Sequence, residues 1–243
     1  MGGLTVSKSI TSIKHVVSTQ TKGRKFSTEL QLVTYLASSL KIEFQTDVFA
    51  REFTTGYGIA DLVFARSFNS KKNKLDRHPI NNYYSLLLYL SLSSSESFTV
   101  RDAKTILKTS PGIAGFAVRK LLNDGYITTI RHGNYIKTAI VQPEPLKLVA
   151  IEAKLHDWRQ GILQARRYKS FTDESYLAIL SRYAKNIDPD LLRVHDIGLI
   201  IVDEDDGTID FKRRSRGRRL KHLNNLETTL YANEIFRDSF RTV

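Results

Sequence analysis

The chain has 243 residues, enough for one large domain or two smaller ones, and its 41% hydrophobic content supports a real core. Lys and Arg number 37 against 25 Asp and Glu, and the resulting +12 suits a polyanionic partner, most simply nucleic acid. The absence of cysteine excludes disulfide scaffolds, thiolate metal sites and cysteine nucleophiles, and no apolar run approaches the ~18 residues needed to span a bilayer.

Residues 1–28 are polar and lack the apolar centre of a secretion signal, so a cytoplasmic location is expected. A first helix is predicted from Glu29 to Leu40, with Thr28 and Gln31 as a capping box and Phe26, Leu30, Val33, Ala37 and Leu40 as its apolar stripe. Residues 44–53 and 58–66 read as two strands around Gly56-Tyr57-Gly58. No third glycine or helix follows that turn, so it carries no dinucleotide fingerprint. Ser70 to Lys74 is a charged linker closed by His78-Pro79.

Three helices come next. One spans Asn81 to Leu92, a second starts at Thr99, and a third opens at Ser110-Pro111, where proline suits the first turn. Gly125 ends the third. A hairpin of residues 126–130 and 135–138 then turns through Arg131-His132-Gly133-Asn134. Three helices and a β-hairpin resemble a winged helix-turn-helix over residues 79–141, most closely at Ala117 to Ile127.

Gln142-Pro143-Glu144-Pro145 leads into the apolar strand Leu146 to Lys154. A helix at 157–170 follows, then strands at 175–180 and 197–202 separated by a short helix near 189–194. Asp205-Asp206-Gly207 turns into a strand at 208–212, and a last helix covers 220–237. The alternation argues for an α/β fold with a partly parallel sheet.

The chemistry concentrates at the end of the strand Leu146 to Lys154. Strand side chains alternate with a period of two, so Glu152 and Lys154 share a face. An acid and an amine at the end of an apolar strand are costly to bury without a partner or a task. Asp61 ends its own apolar stretch, and Gln164 lies on the helix that follows. A carboxylate on one strand, E-x-K on the next and a helix carrying Gln resemble the PD-(D/E)xK, or restriction-endonuclease-like, nuclease superfamily. Ala60 stands where that pattern often has proline. Asp61 and Glu152 are 91 positions apart, and removing residues 79–141 leaves 28, an ordinary spacing for neighbouring strands. The expected organisation is therefore a restriction-endonuclease-like mixed sheet flanked by helices, in two parts at 1–78 and 142–243, with the winged helix at 79–141 inserted.

The resemblance implies a magnesium- or manganese-dependent DNA endonuclease. Asp61, Glu152 and the Ala153 carbonyl would hold the cation, and Lys154 would lie beside the attacking water. Glu29 would be the additional first-helix carboxylate, as ligand or through water, with Glu43 and Glu52 as rivals, and Gln164 would touch the site. Gln160, Gln164 and Tyr168 share one helical face, and Tyr168 reads as packing rather than chemistry. Arg119 and Lys120 on the third helix, with Arg131 and Lys137 in the wing, would contact DNA phosphates. Lys212, Arg213 and Arg214 open a run of seven bases in ten residues and are assigned to DNA as well, though charge alone does not separate that use from a solvated loop. Double-strand cutting calls for two active sites, hence a homodimer or partner subunit. The alternative reading is a non-catalytic DNA-binding or assembly protein on the same fold.

Overall fold

A computed structural model describes residues 26–66, 77–138, 146–217 and 226–239. Within them the helices are α1 (Glu29–Ser39), α2 (Lys41–Phe44), α3 (Tyr83–Ser91), α4 (Val100–Leu107), α5 (Pro111–Asn123), α6 (Trp158–Tyr168), α7 (Ser181–Ala184), α8 (Pro189–Val194) and α9 (Leu226–Asp238). The strands are β1 (Phe49–Thr54), β2 (Ile59–Ala65), β3 (Ile127–Arg131), β4 (Asn134–Lys137), β5 (Leu148–Lys154), β6 (Glu174–Leu180), β7 (Ile197–Val202) and β8 (Ile209–Arg213).

Local chemistry sets most boundaries. Thr28, Asn82, Ser110 and Asp157 each accept a backbone N–H of the first turn they precede. Thr99 and Asp102 form a reciprocal capping box on α4. At α1 the reciprocal bond shifts by one residue, because Gln31 accepts from the Ser27 N–H at 2.8 Å. Lys108 ends α4 in the left-handed conformation at φ 48°. The sequence signals miss α2 and α7, each four residues long, too short for a periodic pattern to emerge.

Six strands form one mixed sheet in the order β1-β2-β5-β6-β7-β8. β5, β6 and β7 run parallel, and the other pairs are antiparallel. Helices α1 and α2 cover one face through Leu32, Leu36 and Phe44, which pack on Leu62, Phe64, Val149 and Ile151. The other face takes α6 and α8, with Ile162, Ala165 and Leu192 against Leu177 and Ile179. All seven residues of β5 are buried, as expected of a central strand covered on both faces.

Residues 77–138 fall between β2 and β5, which nevertheless pair directly. Helices α3, α4 and α5 and the β3–β4 hairpin build a core of their own around Leu86, Tyr89, Ala117, Leu121 and Tyr126. A bridge from Phe98 to Tyr135 adds a short third edge to the hairpin. α9 reaches both cores: Leu230 packs into that of α3, α4 and α5, while Ala232 and Phe236 pack under β1, β2 and β5. None of the described helices is long and apolar enough to cross a membrane.

Candidate active site

The β2–β5 ladder runs from Ala65↔Leu148 to Leu62↔Ile151. One step further lie Asp61 and Glu152. There the Asp61 carboxylate, rather than a backbone carbonyl, accepts the Ala153 N–H, at 2.8 Å. A side chain thus takes over a position in the ladder and fixes the two strand ends against each other. Asp61 and Glu152 belong to the sheet face covered by α6, as the pleat requires from their alternation with Leu62 and Ile151.

Glu152 is 1% exposed and Lys154 8%. Burial of this order is tolerable only because the charges have partners. The Lys154 ammonium lies 2.8 Å from Glu152 Oε1 and 3.3 Å from Glu29 Oε2. Glu152 Oε2 accepts the Tyr168 hydroxyl at 2.5 Å. The same hydroxyl lies 2.6 Å from the Ile59 carbonyl, so its single proton serves both strand ends. Four elements therefore supply the cluster: the first residue of α1, the start of β2, the end of β5 and the last residue of α6.

The electrostatics follow from this geometry. Burial and the neighbouring Asp61 charge raise the Glu152 carboxyl to about 7, against the opposing pull of Lys154 and Tyr168. Burial also raises Asp61, although the Ala153 N–H and Lys154 oppose it. Burial acts to lower Lys154, but Glu152, with Glu29 and Asp61, outweighs it and holds the amine above its ordinary value. Lys154 is therefore an ammonium at neutral pH.

Glu29, Asp61, Glu152, Lys154 and the Ala153 backbone thus meet in one place. Gln164 stands on the same helix face as Gly161 and Tyr168, and its Oε1 is buried with no hydrogen-bond partner. Glu43 is drawn away to Arg214, 2.5 Å distant. Glu52 falls beside Asp61 in the β1–β2 pairing, and its charge contributes to the raised Asp61 carboxyl. Its backbone has a left-handed φ of 47°.

Tyr168 packs as expected, buried in the core with Phe171 and Phe236, and its hydroxyl in addition bonds Glu152. Its spacing four residues beyond Gln164 puts it on that helical face but does not say what its hydroxyl meets. Sequence reasoning missed Gly161: a Cβ there would lie 2.6 Å from Leu177 Cδ1 and 3.0 Å from Lys154 Cγ. A side chain there would require Leu177 to move and the Lys154 stem to give by a few tenths of an ångström.

Among the described residues no three His, Cys, Asp or Glu side chains form a group able to hold a metal ion. A full protein cage is therefore not what the cluster offers. Magnesium usually binds through one or two carboxylates and keeps several waters. Asp61 and Glu152 are hard oxygen donors of the kind that ion takes, and Glu152 Oε1 is buried without a hydrogen bond, so two carboxylates completed by water fit it.

The expected DNA-contacting residues divide. Arg119 and Arg131 are exposed, on α5 and at the end of β3. Lys120 pairs with Asp124 at 3.0 Å. Lys137 is a correction: its amine donates to the Tyr89 and Leu92 carbonyls at 3.0 and 3.3 Å and lies 4.1 Å over the Tyr89 ring. Burial lowers its pKa, and its role is to close the end of α3. Lys212 pairs with Asp210, and Arg213 donates to the Ile197 carbonyl at 3.0 Å. Arg214 joins Glu43 and lies 3.9 Å over the Phe211 ring. All three belong to the β8 end of the sheet, three strands from β5, where Lys212 and Arg214 are exposed and each pairs with an acid at the surface. Arg218, Arg219 and Lys221 of the same run lie outside the described residues.

No family model matches the chain, and neither a curated protein nor a solved structure resembles it at a meaningful level.

Proposed function

We propose that this chain is a divalent-metal-dependent DNA endonuclease of the PD-(D/E)xK type, carrying an inserted winged helix that contacts DNA. One observation carries the reading: Glu29, Asp61, Glu152 and Lys154, drawn from across the chain, converge where β2 and β5 part. A structural salt bridge needs one acid and one base. This cluster gathers three acids about one buried lysine, a costly surplus of negative charge unless a cation joins it.

Magnesium bound by Asp61 and Glu152, with the Ala153 carbonyl or Gln164 assisting, would neutralise phosphate charge and acidify a bound water. The chain's own residues have distinct tasks. Lys154, held as an ammonium, acts as a hydrogen-bond donor and a positive charge towards the phosphate and the attacking oxygen, not as a base. Tyr168 fixes the Glu152 rotamer, and the Ala153 N–H fixes that of Asp61. Glu29 at the rim tethers the Lys154 amine and can hold a water.

The test is conversion of supercoiled plasmid to nicked and linear forms with magnesium, run on the wild type, Lys154→Ala and Asp61→Ala. The two substitutions should each lower the rate by about 10²-fold or more. Equal nicking in all three samples would mean a contaminant and sink the proposal. Parallel reactions on duplex DNA, single-stranded DNA and RNA identify the substrate.

The second reading, a DNA-binding or assembly protein without cleavage, draws support from Glu152, whose Oε2 takes the Tyr168 hydroxyl and whose Oε1 faces the Lys154 ammonium at 2.8 Å. Tight duplex binding with no magnesium-dependent cleavage in the wild type would select it.

A further inference from the structure

The nuclease reading leaves open how the inserted helices and the carboxylate cluster sit on one duplex. We infer, on the basis of that reading, that α9 mounts the inserted unit rigidly on the sheet, so that DNA is cut at a fixed offset from the site the unit binds.

The junction is a buried polar knot. Glu234 on α9 is fully buried. It accepts two hydrogen bonds from the Arg77 guanidinium at 2.6 and 2.7 Å, one from the Ile80 N–H at 2.8 Å and one from Arg237 at 3.1 Å. Arg77 and Ile80 flank the point where the chain enters the inserted helices. Arg77 also reaches the Tyr126 hydroxyl at 2.5 Å, and Tyr126 sits in the core of the inserted unit and donates to the His78 carbonyl. Asn81 adds a bond to Asp238 at 2.6 Å.

Apolar contacts repeat the pattern. Leu230 enters the core of the inserted helices, and Tyr231 meets Tyr83 edge-on at 5.4 Å. Two residues further along α9, Ala232, and then Phe236, pack into the core that contains Tyr168. Tyr168 is the donor to Glu152. One helix thus links the core of the inserted unit to the residue that holds the catalytic acid.

Hinges form where few buried contacts cross and backbone absorbs the motion. Here separation would strand Glu234 and Arg77 as unpaired buried charges, which is strongly disfavoured. A helix seated in a groove has a fixed register on the duplex. A rigid mount then carries that register through to the scissile phosphate.

The chain has no cysteine, so Thr128→Cys with Lys185→Cys gives two unique spin-label sites, one exposed on each part. A single narrow label-to-label distance is expected, unchanged on adding duplex, and Glu234→Ala should broaden it. Should that variant not fold, Arg77→Lys, which keeps charge but loses the two-pronged geometry, is measured instead. A broad distance in the wild type, or no broadening in the variant, overturns the rigid mount. In parallel, the footprint of Lys154→Ala is compared with the cuts of the wild type on duplexes lengthened by half a turn and one turn between the two. The cut should keep its distance from the footprint. Cuts that follow the sequence, or scatter, overturn the fixed offset and leave the nuclease reading standing. A footprint with no cut at all removes both.

Discussion

Glu152 shows how one buried side chain governs behaviour. Its carboxyl titrates near 7 in the folded chain against an ordinary 4.5. Between those values the native state holds a proton that the unfolded state has lost, so stability falls as pH rises through that window. Metal-free protein should therefore melt at progressively lower temperature from about pH 4.5 to about pH 7, and Glu152→Gln should flatten the dependence. A slope of the opposite sign would contradict the burial of this acid. If the proposed nuclease reading holds, magnesium added above the upper end should recover stability, because it would bind the folded cluster and not the unfolded chain. Gly161 gives a second test. Alanine there forces Leu177 or α6 to move, and a loss of about 1–3 kcal/mol in denaturant unfolding is expected. The alternation that puts Glu152 and Lys154 on one face was legible from spacing alone. Tyr168 was not, because nothing in a helical stripe says which strand end its hydroxyl will meet.

Elements show the same division. Strands β5, β6 and β7 and helices α3 to α6 stand close to where apolar patterning, caps and the Ser110-Pro111 start placed them. The uses of their basic residues did not follow from charge. Lys137 and Arg119 look alike in sequence, yet one is tied to the last carbonyls of α3 and the other is exposed. Lys137→Ala should accordingly cost roughly 1–3 kcal/mol of stability, seen as a lower melting temperature. Arg119→Ala should leave melting unchanged, weaken duplex binding across sequences and reduce the salt slope by about 1. The reverse assignment of those two phenotypes would refute the placement of both side chains. β8 adds to this point: Lys212, Arg213 and Arg214 have acidic or carbonyl partners at the far edge of the sheet, which a run of like charge cannot reveal.

At the scale of the whole molecule, an interrupted sheet is closed by a late helix. Residues 77–138 interrupt the path from β2 to β5 without disturbing their pairing, and α9 returns from the end of the described chain to lock the interruption in place. Removing the Glu234 carboxylate leaves Arg77 buried without its main partner, so Glu234→Ala should destabilise by roughly 3–5 kcal/mol in urea unfolding. A loss within a few tenths would mean that the junction opens freely to water.

Local pattern was enough to locate the strand that carries Glu152 and Lys154, its neighbour bearing Asp61, and the segment that interrupts the path between them. These are properties of local pattern: a period of two along a strand, apolar runs, caps, and a loop length that becomes ordinary once one segment is set aside. Folding in three dimensions was needed to bring Tyr168 to Glu152, Gly161 beside Lys154, Lys137 to a helix end, and Glu234 to Arg77. Each of these depends on two segments far apart in the chain meeting at hydrogen-bond or van der Waals distance. Burial then turns such a meeting into a strong constraint, because a buried charge without its partner is too costly to keep.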